Sequence, residues 1–275
     1  MTLSARNNFF RGGIIIAILS ISLVAISGRL AYAVFPEVTA KAVLRSGGLI
    51  LRNIELQAEA NVPFWTIMIA AVFSLVSISL IYYFFEKTQS PEIFFIGLFV
   101  ISLSFEAARI IIPLREIFNF PLVFVATASR VMHFGRCFGL FSLFTAGIYA
   151  AGLDAQKQGN SLLMITLAAL IISMSVPINC IIYDSAFVTA SGYRHMFSVI
   201  EAGILVITMS SFLISASKHS SRNFLLVGIG IILAVAGRNI LLNSDTWITP
   251  FPGLMILIAG TWFACSRLHL AYLWL

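Results

Sequence analysis

Eight stretches of this sequence, each long enough to cross a membrane and almost purely apolar, alternate with short polar loops. That pattern constrains the fold more than any motif does, because about 20 helical residues are needed to cross ~30 Å of hydrocarbon. The stretches are Gly13–Phe35, Pro63–Phe85, Ile93–Leu114, a fourth from Pro121 that fades by Gly152, Leu162–Tyr183, Met196–Ala216, Phe224–Leu242 and Pro252–Tyr272. Hydrocarbon offers no partner to an exposed N–H or C=O, so each stretch must close its own backbone hydrogen bonds as a helix. Barrel strands would alternate polar and apolar residues over ~10 positions, and these stretches do not. The sequence therefore predicts an all-α fold, a polytopic transmembrane helical bundle of eight helices. With 60% hydrophobic and 10% charged residues, the chain lies far from soluble globular proteins, which average near 25% charged.

No internal repeat, low-complexity segment or linker divides the chain, so residues 1–275 are taken as a single membrane domain. Its N-terminal part, 1–35, permits two interpretations. It is a first transmembrane helix, or a signal peptide with Arg6 and Arg11 ahead of the apolar Ile14–Ser27 and an Ala31-Tyr32-Ala33 cleavage site. Cleavage would leave seven helices. Arg29 and the length of the run favour retention. Residues 36–62 carry Lys41, Arg45 and Arg52 against Glu37, Glu55 and Glu59 and form an external amphipathic segment, interrupted by Gly47-Gly48. Residues 63–275 form the seven-helix bundle.

Lys and Arg in short loops set orientation. With the N-terminus inside, Arg6, Arg11, Lys87, Lys157, Lys218 and Arg222 all fall on the cytoplasmic side. Arg115, Arg194 and the 36–62 segment fall outside. The expected location is a bacterial-type inner (plasma) membrane, with the C-terminus cytoplasmic. The net charge of +6 thus reads as a topology signal and not as an affinity for nucleic acid.

Charge inside the apolar runs is the second constraint. Arg29, Arg109, Arg130, Arg136, Arg238 and Arg267 lie in or at the margins of these runs, which hold only two carboxylates, Glu106 and Glu201. Ionisable groups in hydrocarbon are costly unless paired, hydrated or liganded, and so mark candidate sites. Glu106 and Arg109 are three residues apart on one face. Arg130 and His133 share a face in the fourth helix, with Arg136 expected near it. Glu201, Arg238 and Asn239 fall at matching depth, so the cluster occupies a slab from mid-membrane to the outer third. Pairing of Glu106 with Arg130 or Arg109, and of Glu201 with Arg238, would serve as interhelical glue. Arginine also suits bidentate capture of a carboxylate or phosphate. The expected ligand contacts are Arg109, Arg130 and Arg238, with Glu106 and Glu201 as counter-charges and His133 and Asn239 beside them.

Other chemistries lack their residues. His133, His195, His219 and His269 fall at unmatched depths, unsuited to haem. The four lysines, Lys41, Lys87, Lys157 and Lys218, lie in loops, which leaves no buried amine for a retinal Schiff base. Cys137, Cys180 and Cys265 have no metal-ligand spacing. There is no HExxH or GxSxG motif. No cofactor, metal or enzymatic activity is expected. In layout alone, residues 63–275 resemble bacterial seven-helix sensory membrane modules. The expectation is a ligand-binding or sensory membrane module. Its partners would be membrane lipid, a small anionic ligand and, since the chain ends at Leu275 on the inner face, a protein on the cytoplasmic side. A transporter of a small anionic solute and a structural subunit of a larger membrane complex are the alternatives.

Overall fold

The computed structural model describes residues 2–31, 62–85, 90–184, 186–192, 194–244 and 246–273. The fold is all-α, and eight of its helical segments are long and apolar enough to cross a membrane. In chain order the α-helices are α1 (Leu3–Ala31), α2 (Val62–Phe85), α3 (Pro91–Ser102), α4 (Ile111–Phe118), α5 (Leu122–Ala150), α6 (Gln158–Ser175), α7 (Arg194–Lys218), α8 (Arg222–Leu242) and α9 (Pro250–Leu273). A tighter 3₁₀ segment, Leu103–Ile110, joins α3 to α4, and the three together make the third span, Pro91–Arg115. The external segment 36–62 and the candidate cleavage site lie outside the described residues, apart from Ala31 and Val62.

The third span sits at the centre and is the most enclosed of the eight. Its first half, Pro91–Ser102, is buried at every position, packed through Phe94, Phe95, Leu98 and Phe99 into the main core. Ser90 caps it by accepting from the Ile93 N–H at 3.4 Å, and Pro91 occupies the first turn, where its missing N–H costs nothing. Pro113 explains the change of pitch upstream. Its ring crowds the carbonyl four residues earlier, that of Arg109, and an α-helix must tighten or kink before such a residue. Hydroxyls from neighbouring helices tie the 3₁₀ segment down. Ser20 of α1 donates to the Ser104 carbonyl at 3.0 Å, and the Ser104 hydroxyl donates to Ser74 of α2 at 2.9 Å.

Helix α4 ends at Asn119, which takes a left-handed conformation with φ 51°. Glycine tolerates that region without strain and Asn better than most residues. Asn119→Ala should therefore cost about 1 kcal/mol and Asn119→Gly close to nothing, read as melting temperatures in detergent. Equal losses in the two variants would remove the conformational explanation.

The first helix starts at Leu3, ten residues before the expected Gly13, because Arg6 and Phe10 fold back onto the bundle: Arg6 donates to the Phe85 carbonyl at 3.0 Å and Phe10 is buried. A larger departure lies in the fifth apolar run, predicted as helix to Tyr183. Helix α6 stops at Ser175. Pro177 cannot donate to the ladder and pushes Val176 into extended backbone (ψ 123°). The rest of the run becomes β1 (Ile178–Tyr183), paired antiparallel with β2 (Thr189–Ser191). Asp184 holds the turn, its carboxylate accepting from the Ala186 and Val188 N–H groups at 3.1 and 2.9 Å. Tyr183, Ala186, Phe187 and Thr189 are buried. The hairpin thus lies tip-inward against the end of the bundle shared by the ends of α4 and α8. Irregular backbone survives at such depth only where protein or water satisfies it.

Candidate functional site

The site is built where the 3₁₀ segment meets α5. Gly135 and Gly139 of α5 face it. A Cβ on Gly135 would stand 3.1 Å from the Ser102 carbonyl oxygen, and one on Gly139 would be 3.2 Å from the Ser102 Cβ. Only bare backbone permits this approach, and it carries Arg136, next to Gly135, onto Glu106. Arg136 Nε donates to Glu106 Oε1 at 2.7 Å and Nη2 to Oε2 at 3.1 Å, a bidentate clamp. Arg109 Nη1 donates to the same carboxylate, at Oε2, from 3.0 Å. Residues three apart eclipse in a 3₁₀ helix, which sets Arg109 directly over Glu106.

One buried carboxylate therefore faces two guanidiniums. Backbone carbonyls take up the rest of Arg109. Its Nη1 and Nη2 reach the Leu242 carbonyl at the end of α8, at 3.4 and 3.3 Å, and Nη2 also donates to the Ala186 carbonyl in the hairpin turn. The last carbonyls of a helix lack partners and carry partial negative charge, so a cation fits there. Arg109 is wholly buried, and it pins the hairpin to the bundle.

A second pair lies beside the first. Arg238 Nη2 donates to Glu201 Oε1 at 2.6 Å, and Asn239 Nδ2 donates to the same oxygen at 2.9 Å. The Asn239 carbonyl oxygen accepts from Arg238 Nε and Nη2 at 3.2 and 3.1 Å. The guanidinium lies 6.0 Å from the centre of the Phe99 ring. Each pair is within electrostatic reach of the other, and Asp184 acts on Arg109 and Arg136 from the hairpin. Among the described residues, three donor or acceptor atoms of this region are buried without a hydrogen-bond partner: Arg109 Nε, Arg238 Nη1 and His133 Nε2. The His133 ring stacks on Phe197, centroids 5.7 Å apart. Arg136, 26% exposed, is the guanidinium of the set with most access from outside.

Of the residues expected to make the site, Glu106, Arg109, Glu201, Arg238 and Asn239 are brought together, and His133 lies one turn from Arg136. Arg130 is not. Its side chain is exposed, and its backbone carbonyl accepts from Ser173 of α6 at 2.9 Å. Arg136 takes the place expected of Arg130. The expectation that both lie near one face fails on geometry: six residues on an α-helix turn the side chain about 120° away. The signal for Arg136 was present in its neighbours, since Gly135 and Gly139 mark the face of closest approach. Arg29 is exposed, and Arg267 lies 5.1 Å from the Phe263 ring, so neither joins the cluster.

A second buried carboxylate, Glu92, escaped the sequence reading because it stands at the boundary of a loop. It accepts from Ser90 Oγ at 2.7 Å and from the Tyr272 hydroxyl at 2.6 Å, tying the start of α3 to the end of α9. Among the described residues no three His, Cys, Asp or Glu side chains converge to hold a metal ion.

No family model matches the chain. A stretch of 97 residues is 28% identical to a protein of Treponema pallidum (strain Nichols) described as uncharacterized, covering 35% of this chain and 28% of that protein. The match spans little more than a quarter of the relative's length, and it brings neither family membership nor activity with it. What stands plainly is a multi-pass membrane protein built of transmembrane helices.

Proposed function

We propose that this protein is a membrane-embedded ligand-binding or sensory module whose Arg/Glu cluster holds a small carboxylate or phosphate anion, free or on a lipid headgroup. Arg136 and Arg238 make the contacts, Glu106 and Glu201 hold the guanidiniums in place, and Arg109 and Asn239 orient them. The observation that carries this reading is Arg238 Nη1, a buried guanidinium nitrogen without a partner among the described residues, within electrostatic reach of the partly exposed Arg136. A buried donor left unpaired costs about 1–3 kcal/mol, and more when charged, so an anion that accepts from it gains accordingly.

The distribution of basic residues supports placing the hairpin end outside and the C-terminus in the cytoplasm of a bacterial-type inner membrane. Arg6, Arg11, Lys157, Lys218 and Arg222 lie at the opposite end of the helices from the hairpin. A protein on the cytoplasmic side would receive the output. Transport of the same anion is a second reading, favoured by the break in regular helix at Leu103–Ile110, since transporters bind ions where spans are interrupted.

Purified protein should melt several degrees higher with a preferred carboxylate or phosphate at about 100 times its Kd, a gain of about 2.7 kcal/mol. Arg238→Gln should lose most of that response, and Arg130→Gln should keep it. A wild type indifferent to carboxylates, phosphates and anionic lipids alike would overturn the proposal. Saturable uptake of the labelled anion into proteoliposomes would move the assignment to transport, and binding without flux keeps it as a sensor.

A further inference from the structure

His133 lies against the Arg/Glu cluster without belonging to either of its ion pairs. It stands on α5 one turn from Arg136 and is 8% exposed, and among the described residues its Nε2 has no hydrogen-bond partner. Its ring stacks on Phe197, which stands one turn from Glu201 on α7. Both members of the stack lie nearer the hairpin end than the charges they adjoin, because α5 and α7 start at that end. His133 is within electrostatic reach of Arg136 and Glu106.

The charges of the cluster balance before a ligand arrives. Arg109, Arg136 and Arg238 act with Glu106, Glu201 and Asp184 as one coupled set, three guanidiniums against three carboxylates, for a net charge of zero. An anion docked on Arg136 and Arg238 therefore adds a negative charge that nothing offsets, where uncompensated charge is costly. Arginine keeps its proton throughout and has nothing to add. Of the remaining charged groups on these elements, Arg130 is exposed and Arg115 of α4 donates to the Phe120 carbonyl. Cys137 of α5 and Tyr183 of the hairpin are neutral acids and can only lose a proton. Protonating Glu106 or Glu201 would give up the bonds that hold the guanidiniums in place. A neutral imidazole is different, because it gains positive charge by taking a proton, and His133 Nε2 has no hydrogen bond among the described residues to surrender.

We infer that His133 is a proton-binding site coupled to the anion: each anion that enters the cluster is accompanied by one proton, which His133 carries. The inference rests on the reading of the cluster as an anion site. The proton comes from the solution. The ring nitrogen that holds the lone pair takes it, both nitrogens are then N–H donors, and no other bond changes. The imidazolium restores the charge balance beside Arg136 that the anion disturbs. Uptake of a proton on binding means that affinity rises as pH falls. It should weaken by as much as about tenfold for each unit of rising pH, over the interval in which the bound protein holds the proton and the free protein does not.

The test is isothermal titration calorimetry of the full chain in detergent with acetate, benzoate and methyl sulfate, monoanions whose charge is fixed from about pH 5.5 to 8.5, a range centred near the ordinary imidazole value. Titration at each pH in two buffers of different ionisation enthalpy counts the protons taken up. Wild type should take up a proton with the anion, approaching one, and bind more weakly as pH rises. His133→Gln and His133→Phe should bind with no uptake and no dependence on pH, at the affinity that wild type reaches at the alkaline end. Phenylalanine keeps a ring against Phe197, so the second variant separates loss of the proton from loss of the stack. His195→Gln, His219→Gln and His269→Gln should each keep the uptake. Binding without proton uptake at any pH would overturn this inference and leave the anion site standing. Uptake that persists in both His133 variants, uptake lost in one of the other three, or binding lost at every pH in both His133 variants would also overturn it. A wild type that binds none of the three anions would remove the anion site and this inference with it.

Discussion

Glu106→Gln is expected to destabilise the protein by about 3–5 kcal/mol, because it strips the carboxylate from between two guanidiniums and leaves buried positive charge uncompensated. Arg109 is wholly buried and Arg136 is largely so. Glutamine preserves the shape and one acceptor, so the loss reports on charge more than on packing. The measurement is unfolding in mixed micelles, followed by helical circular dichroism. An apolar triple replacement, Glu106→Leu with Arg109→Met and Arg136→Met, should recover much of the loss, since well-packed apolar groups often match or exceed a buried ion pair. Recovery in the triple variant together with lost anion response would separate the two roles of the cluster. A loss under about 1 kcal/mol in Glu106→Gln would mean that water or lipid headgroups already screen the site.

Gly237→Leu should be nearly as damaging, at about 3 kcal/mol, for a reason that involves no charge. Helices α8 and α9 touch backbone to backbone: a Cβ at Gly237 would stand 2.8 Å from the Gly253 carbonyl oxygen, and one at Gly230 would stand 3.0 Å from that of Gly260. Lipid tails are as apolar as leucine, so helices in a bilayer gain cohesion from close packing, which small residues permit. The same contact fixes the end of α8, where Leu242 and Arg238 meet the site. Gly237→Leu should therefore also weaken the response to anions. Gly203→Ala is the control. Nothing lies within 4 Å of its added Cβ, and it should melt within about 0.5 kcal/mol of wild type. Equal melting of the two variants would show that the contact between α8 and α9 is looser than described.

The architecture was legible because hydrocarbon removes alternatives. An apolar run of membrane length has one way to satisfy its backbone, and all eight runs took it over most of their length. Where a run contained its own interruption, length misled. The fifth run is apolar through Tyr183, and neither hydropathy nor periodicity separates the helix from the strand that follows Pro177. Proline's missing N–H was the better guide.

The partners within the cluster were harder to read. Glu106 with Arg109 follows from local spacing, and Glu201 with Arg238 from depth. Arg130 and Arg136 differ by less than two turns of one helix, so depth could not choose between them. Rotation could, and the glycines at 135 and 139 record it, since the face of closest approach needs the smallest residues. The hold of Arg109 on the Ala186 and Leu242 carbonyls had no sequence signal, because backbone acceptors are the same in every residue.

The most direct test is an experimental density map of the protein, purified in its native lipids and resolved well enough to show side chains. Non-protein density within hydrogen-bonding distance of Arg238 Nη1, bridged to the Arg136 guanidinium, is the expected result. Tight packing of Arg136 and Arg238 against protein on every side, with no space for an anion between them, would contradict it and leave the charges as interhelical glue.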